Sequence, residues 1–318
     1  MTNWLAELDG RRVAVEVPAS SANLGAGYDS VGVALGLTNR VEVEVRGWSR
    51  GEIELTVDGE GSGELPADRT NRCVQGIEAA LREVRGELPD GVGWRISMRN
   101  EVPLARGLGS SAAATVAGVV AGNHFLGEPL TAGDLLRLAT AIEGHPDNAA
   151  AALLGGFTVS TSTDAGIEAL RFDAPRDLRA VLFIPDLRLA TSDMRAALPA
   201  EVPLADAVAN LGRVAVGVAG IALGRYEMLR VLTVDALHEP YRAAVYPQLP
   251  RLVEAAREAG AIGACLSGAG STVLAFSDSV RRITRIEAAF TAVAADTDLP
   301  GRVTVVSPRN LGAHIVRS

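Results

Sequence analysis

Val102-Pro103-Leu104-Ala105-Arg106-Gly107-Leu108-Gly109-Ser110-Ser111-Ala112-Ala113-Ala114-Thr115-Val116-Ala117-Gly118 is the stretch on which the fold turns. The residue before Pro103 is pushed out of the helical region, so the entry is extended. A tight turn with two glycines follows. Two serines and a run of alanines, strong helix material, come next. Ser110 or Ser111 is placed to cap that helix. The free N–H groups and the positive dipole end of such a helix attract an anion. Gly107 and Gly109 have no β-carbon and let the backbone approach the anion closely. A phosphate is the natural guest. The string is not a Walker A loop, which needs a Lys after its last Gly. Nor is it a dinucleotide fingerprint, which needs a third Gly at fixed spacing. A lone Gly-x-Gly before a buried helix would be unremarkable in a core, but this string is longer and more specific.

The chain around it has 318 residues, comfortable for two domains. Hydrophobic residues make up 48%, enough for large cores. The net charge is −8 and there is no basic run, which gives no support for nucleic-acid binding. All thirty basic residues other than histidine are arginine; the chain has no lysine. That excludes a Schiff-base lysine and the lysines of P-loop enzymes and protein kinases. Any phosphate must be held by backbone N–H groups, hydroxyls, metal or arginine. Cys73 and Cys265 lack metal-type spacing and read as free thiols in a reducing cytosol. The N-terminus has acidic residues and no signal-peptide pattern. No run of eighteen uninterrupted apolar residues occurs, so a cytoplasmic protein without a membrane span is expected.

Outward from the central stretch, Val13–Val17, Val41–Val45, Glu52–Val57 and Trp94–Met98 alternate like strands, the middle two as parts of a meander. Residues 59–70 read as a turn region. Asn71–Arg85 has helical spacing. Pro18 to Gly32 is a small-residue segment with Asn23 and Asp29 as its main polar groups. It suits a long loop, either packed on the fold or wrapped around a ligand whose hydroxyl and amine those two groups would fix. Thr131–Ile142 is a helix with a capping box from Thr131 and Asp134. Its end runs into Glu143-Gly144-His145-Pro146-Asp147-Asn148, which fits a solvated turn or an active-site corner. Composition shifts near residues 156–165, giving domains 1–160 and 161–318, with 163–178 turn-rich. The second half predicts a strand at Arg179–Ile184, helices at Ala205–Leu223 and Arg251–Ala259, strands flanking a glycine turn over Ala261–Phe276, a helix at Val280–Ala294 and a strand at Arg302–Val306. That order is an α+β split motif.

The central string closely resembles the phosphate loop of the GHMP kinases, a family of ATP-dependent small-molecule kinases. Three more segments, at 18–32, 143–148 and 263–276, match that family's motifs, and the wording of the first two is closest to its homoserine kinases. The resemblance implies an α+β protein with an N-terminal domain like the second domain of ribosomal protein S5 and a ferredoxin-like C-terminal domain. It implies transfer of the γ-phosphoryl of ATP to the side-chain hydroxyl of L-homoserine. Pro103, Leu104, Ala105, Arg106, Gly107, Leu108, Gly109, Ser110, Ser111, Ala112 and Ala113 would wrap ATP. Ser111 and Glu143 would hold Mg²⁺; only Gly144 separates Glu143 from His145, a closer spacing than in some members. Asp29 would take the ammonium, Arg195 and Arg242 the carboxylate, and Asn23 and Asn148 the hydroxyl, with Thr191 beside them. Asn148 acts by positioning, with Asp147 as general base the alternative. Family members are often homodimers. Competing readings are a mevalonate- or sugar-type GHMP kinase and a non-catalytic ligand sensor of the same fold.

Overall fold

Val13, Val15 and Val17 sit on one face of strand β1 (Arg12–Ala22) in a computed structural model that describes residues 4–46, 51–88 and 91–317. β1 pairs antiparallel with the long β2 (Val31–Arg46). The pairing slips between Pro18 and Ala19, where proline cannot donate to the ladder. Before the slip, Val13 to Val17 face one cluster of apolar side chains; after it, Ala19 joins a different one. β2 changes partners in the same way, with Val41, Val43 and Val45 in the first cluster and Val31, Val33 and Leu35 in the second. The irregularity therefore lets one strand pair serve two cores.

β2 pairs next with β4 (Gly93–Asn100), and β3 (Ile53–Gly59) lies parallel to β4 at the edge. The expected meander is thus not formed. Helix α1 (Arg72–Arg85) separates β3 from β4, and a crossover through a helix joins parallel neighbours. α1 packs against α2 (Ser110–Phe125) and α3 (Ala132–Glu143), and α4 (Asp147–Leu154) packs against α2 and α3, all on one face of this sheet. The small residues of α2 have a packing reason. A Cβ on Gly118 would lie 2.1 Å from the Cys73 carbonyl oxygen, so the two helix backbones nearly touch. The capping box of Thr131 and Asp134 is present on α3.

β5 (Phe157–Thr163) pairs with β2 and with β6 (Gly166–Phe172), so both belong to the first sheet. β6 replaces part of the expected turn-rich stretch 163–178. Phe172 ends the last of these strands, and Arg179 begins the second sheet. The second sheet follows with β7 (Arg179–Pro185), β8 (Gly263–Leu266), β9 (Val273–Ser277) and β10 (Gly301–Val306) in the order β10-β7-β9-β8, all antiparallel. Its edges and helices make the ferredoxin-like α+β arrangement expected. Strand period two puts Ala180, Leu182 and Ile184 against the first sheet. Val181 and Phe183 go to the outer core.

Between β7 and β8 run α5 (Thr191–Ala196), α6 (Leu204–Ala222), α7 (Leu229–Leu232), α8 (Glu239–Arg242) and α9 (Leu249–Glu258). α10 (Val280–Asp296) joins α9 on the outer face. α6 is long and apolar enough to cross a membrane by length and composition, and here Gly217 and Gly220 seat it on Leu232 and Met228. The C-terminal β11 (His314–Val316), not anticipated from the sequence, returns to pair with β1.

Candidate active site

The central loop is held by three other segments. The carbonyl of Ala105 accepts from Leu189 N–H at 3.4 Å, that of Arg106 from Thr272 N–H at 3.1 Å, and that of Leu108 from Ser20 N–H at 3.1 Å. Gly107 oxygen accepts from Ser267 Oγ at 2.7 Å. With these carbonyls turned outward, the N–H groups are left for the cavity. None from Arg106 to Ala112 has an acceptor among the described residues. Such a run of free N–H groups at the start of a helix is an anion cradle.

Both glycines of the loop have φ +71°. Their neighbours are protein rather than ligand alone. A Cβ on Gly107 would lie 2.0 Å from Ser267 oxygen, and one on Gly109 would lie 2.1 Å from Ser20 Oγ. Neither serine caps α2 with its side chain; Gly109 is the N-cap, and no side-chain cap bond exists. Ser111 Oγ instead donates to Glu143 Oε1 at 2.9 Å. Arg106 does not point at the anion cradle. Its guanidinium donates to the carbonyls of Pro185 (2.7 Å), Leu104 (3.3 Å) and Asp186 (3.0 Å), tying the loop to the end of β7.

Glu143 ends α3 with its side chain 7% exposed. Thr115, buried one turn beyond Ser111 on α2, donates to the same Oε1 at 2.7 Å. Oε2 has no hydrogen bond among the described residues. A hydroxyl and a carboxylate with one oxygen open to the cavity suit a hard cation such as Mg²⁺.

Asp147 and Asn148, expected at a corner, open α4. Asp147 is buried, and its Oδ1 accepts from Asn148 N–H (2.7 Å) and from His145 Nδ1 (2.7 Å). That bond holds the His145 imidazole above its ordinary range, against the effect of burial. Asn148 Oδ1 accepts from Ser20 Oγ at 2.9 Å, which fixes the amide beside Gly109.

The far end of the cavity gathers Asn23, Asp29, Thr191, Arg195 and Arg242. Asn23 occupies the left-handed region at φ 69°, which asparagine tolerates. Its Oδ1 accepts from Asp29 N–H (3.0 Å) and its Nδ2 donates to the Gly268 carbonyl (2.9 Å). It is thus a brace between the first and last motifs. Asp29 is gripped by Arg195 with two bonds, and Arg195 also donates to Tyr28 OH at 2.8 Å. Arg242 is almost fully buried, donates to the Gly268 carbonyl at 3.0 Å, and burial lowers its pKa. Both guanidiniums lie 5.6 Å from the Tyr28 ring centre.

Of the residues expected at ATP, Pro103 and Ala105 to Ala112 line this one cavity, together with the expected metal ligand Glu143 and the expected catalytic residues Asp147 and Asn148. Ala113 does not; it is buried in the first core. Leu104 lines an adjoining, more apolar cavity with Asn39, Leu65, Met98 and Arg72. Ala105, Ser110 and Ser111 border both cavities. The sequence reading missed this neighbour and gave no role to Ser20, Tyr28, His145 or Thr115. Only Thr115 left a usable signal, four positions from Ser111 and hence on the same helix face.

Residues 71–156 match the model of the GHMP kinases N-terminal domain, and residues 220–296 match that of the GHMP kinases C-terminal domain. The chain is 43% identical over 273 residues to the homoserine kinase of Carboxydothermus hydrogenoformans, covering 86% of this chain and 88% of that one. It is 40% identical over 302 residues to that of Moorella thermoacetica, covering 95% and 99%. The crystal structure of homoserine kinase from Cytophaga hutchinsonii superposes with a TM-score of 0.84 at 30% identity, covering 96% and 97%.

Proposed function

The chain belongs to the homoserine kinases of the GHMP kinase family, and from that premise we propose that it moves the γ-phosphoryl group of ATP to the side-chain hydroxyl of L-homoserine. The products are ADP and O-phospho-L-homoserine, an intermediate for threonine biosynthesis. The observation that carries this reading is the juxtaposition of two charge types in one cavity. Free N–H groups from Arg106 to Ala112 face one end, and the Asp29, Arg195 and Arg242 set occupies the other. The first suits phosphate and the second suits a zwitterion.

Phosphoryl transfer needs positioning and charge stabilisation more than covalent help. The N–H cradle binds the β- and γ-phosphates. The more apolar adjoining cavity, shared at Ser110 and Ser111, suits the adenine ring. Ser111 Oγ and the open Glu143 Oε2 would hold Mg²⁺, which when bound neutralises charge on the phosphates. Asp29 takes the ammonium of homoserine, and Arg195 and Arg242 take its carboxylate. Asn148, fixed by Ser20, orients the hydroxyl for in-line attack, and its proton passes to a phosphate oxygen. Asp147 steadies this corner by accepting from His145 and the Asn148 N–H.

We further assign the protein to the cytoplasm and to a homodimer, which the exposed Leu204, Val208 and Leu211 along α6 support. An ADP-release assay with homoserine, mevalonate and galactose tests the activity. Turnover of mevalonate or galactose in preference to homoserine would overturn it.

A further inference from the structure

His238 stands behind the substrate end of the cavity, fully buried and outside every motif of the sequence. Its Nε2 is 2.8 Å from the Gly25 carbonyl oxygen, and its Nδ1 is 3.0 Å from Arg242 Nη1. A carbonyl only accepts and a guanidinium only donates. Both bonds therefore require a neutral ring with its proton on Nε2. The preceding turn is fixed as well: Asp235 accepts from the backbone N–H groups of Leu237, His238 and Glu239.

Arg242 needs orientation without neutralisation. Its Nη1 is taken by His238 and the Gly268 carbonyl, and Nε reaches the Met194 carbonyl at 3.4 Å. Nη2 has no acceptor among the described residues. A carboxylate in place of His238 would orient the fork but cancel its charge. A neutral imidazole orients it and leaves the charge for a ligand. Burial also pushes the His238 pKa down to about 4, so the ring stays neutral at ordinary pH.

We propose that His238 is the positioning residue that aims the Arg242 fork at the substrate carboxylate, and that it links this fork to the first motif through Gly25. This rests on the reading of the substrate as homoserine. Two near-isosteric variants separate its two bonds. In His238→Asn the amide oxygen replaces Nδ1 and keeps the Arg242 bond; in His238→Gln the amide nitrogen replaces Nε2 and keeps the Gly25 bond. Steady-state kinetics are measured with homoserine and with homoserinol, which lacks the carboxylate.

The expected result is that His238→Gln raises the KM for homoserine about tenfold or more, with kcat and the KM for homoserinol little changed. His238→Asn restores most of the discrimination. Equal shifts for both substrates, or no difference between Asn and Gln, overturn the inference while a discriminating wild type leaves the homoserine reading intact. A wild type indifferent to the carboxylate overturns both. Should a variant not fold, imidazole ¹⁵N spectra of the native protein decide. They must show His238 as the neutral Nε2–H form down to about pH 5.5, with an Nδ1 shift on adding homoserine and not homoserinol. An Nδ1–H form overturns the inference.

Discussion

Arg195 holds Asp29 in a two-pronged grip, Nη2 to Oδ1 at 2.8 Å and Nη1 to Oδ2 at 3.0 Å, inside the cavity that is to receive a zwitterion. The two side chains are 37% and 33% exposed. An ion pair that wet contributes only about 0–1 kcal/mol to stability. Its value lies in presenting fixed charges of both signs to a ligand that carries both. Arg195→Ala should therefore shift the melting temperature little, yet weaken homoserine binding about ten- to hundredfold. Homoserinol should be almost indifferent to the change. Equal weakening of homoserine and homoserinol would remove Arg195 from the carboxylate.

Gly109 lies against Ser20 and Asn148 as well as the anion cradle. Gly109→Val would force a Cβ to 2.1 Å from Ser20 Oγ at φ +71°, displacing the hydroxyl that fixes Asn148. Turnover should be abolished, with a stability loss of about 1 kcal/mol or more from the backbone strain. Wild-type turnover by a folded variant would dissociate the loop from catalysis.

Thr115 shares Oε1 of Glu143 with Ser111. Glu143→Gln keeps the shape and loses the charge, so the Mg²⁺ midpoint for activity should rise sharply. Thr115→Val should raise it about tenfold through loss of orientation alone. Unchanged titration midpoints in both variants would exclude Glu143 as a ligand.

Asn148 and Asp147 make a pair with opposite expectations. Asn148→Ala removes the amide fixed by Ser20 and should lower kcat about a hundredfold. Asp147→Asn leaves an acceptor oxygen for its neighbours and should keep activity within about tenfold. A loss of several orders of magnitude in Asp147→Asn, with homoserine still bound, would make Asp147 the general base.

The depressed pKa of His238 gives acid stability a defined window. Its folded pKa of about 4 lies below the unfolded imidazole value of about 6.5. The unfolded state then binds the proton more readily, so stability is full above about pH 6.5 and falls as the pH drops toward 4. The gap corresponds to about 3 kcal/mol. In denaturant titrations, wild type should lose stability across that window, and His238→Gln should lose much less. Parallel curves would mean that the ring is not held neutral. His145, raised by Asp147, acts in the opposite sense: its contribution is full below about pH 6.5 and is lost as the pH rises through its folded pKa.

The sequence by itself determined the parts of this protein whose cause is local. The capping box on α3, the helix that follows the glycine turn, and the hairpin over Ala261–Phe276 each follow from neighbouring residues. The strings of the candidate site were legible by their resemblance to the family's motifs, but that they meet in one cavity was decided by the fold. What only the tertiary structure decided depends on partners far along the chain. β3 lies parallel to β4 because a helix intervenes between them, and β5 and β6 join the first sheet because β2 is long enough to pair with β5. Arg106 was expected in the loop that wraps ATP, but the end of β7 supplies two carbonyls, Pro185 and Asp186, that draw its guanidinium away and that no local pattern reveals. Asn23 became a brace because Gly268 sits across from it. His238 carried no signal at all. A lone histidine acquires its proton, its tautomer and its neutrality from what surrounds it, and those surroundings, Gly25 and Arg242, exist as a set only after folding.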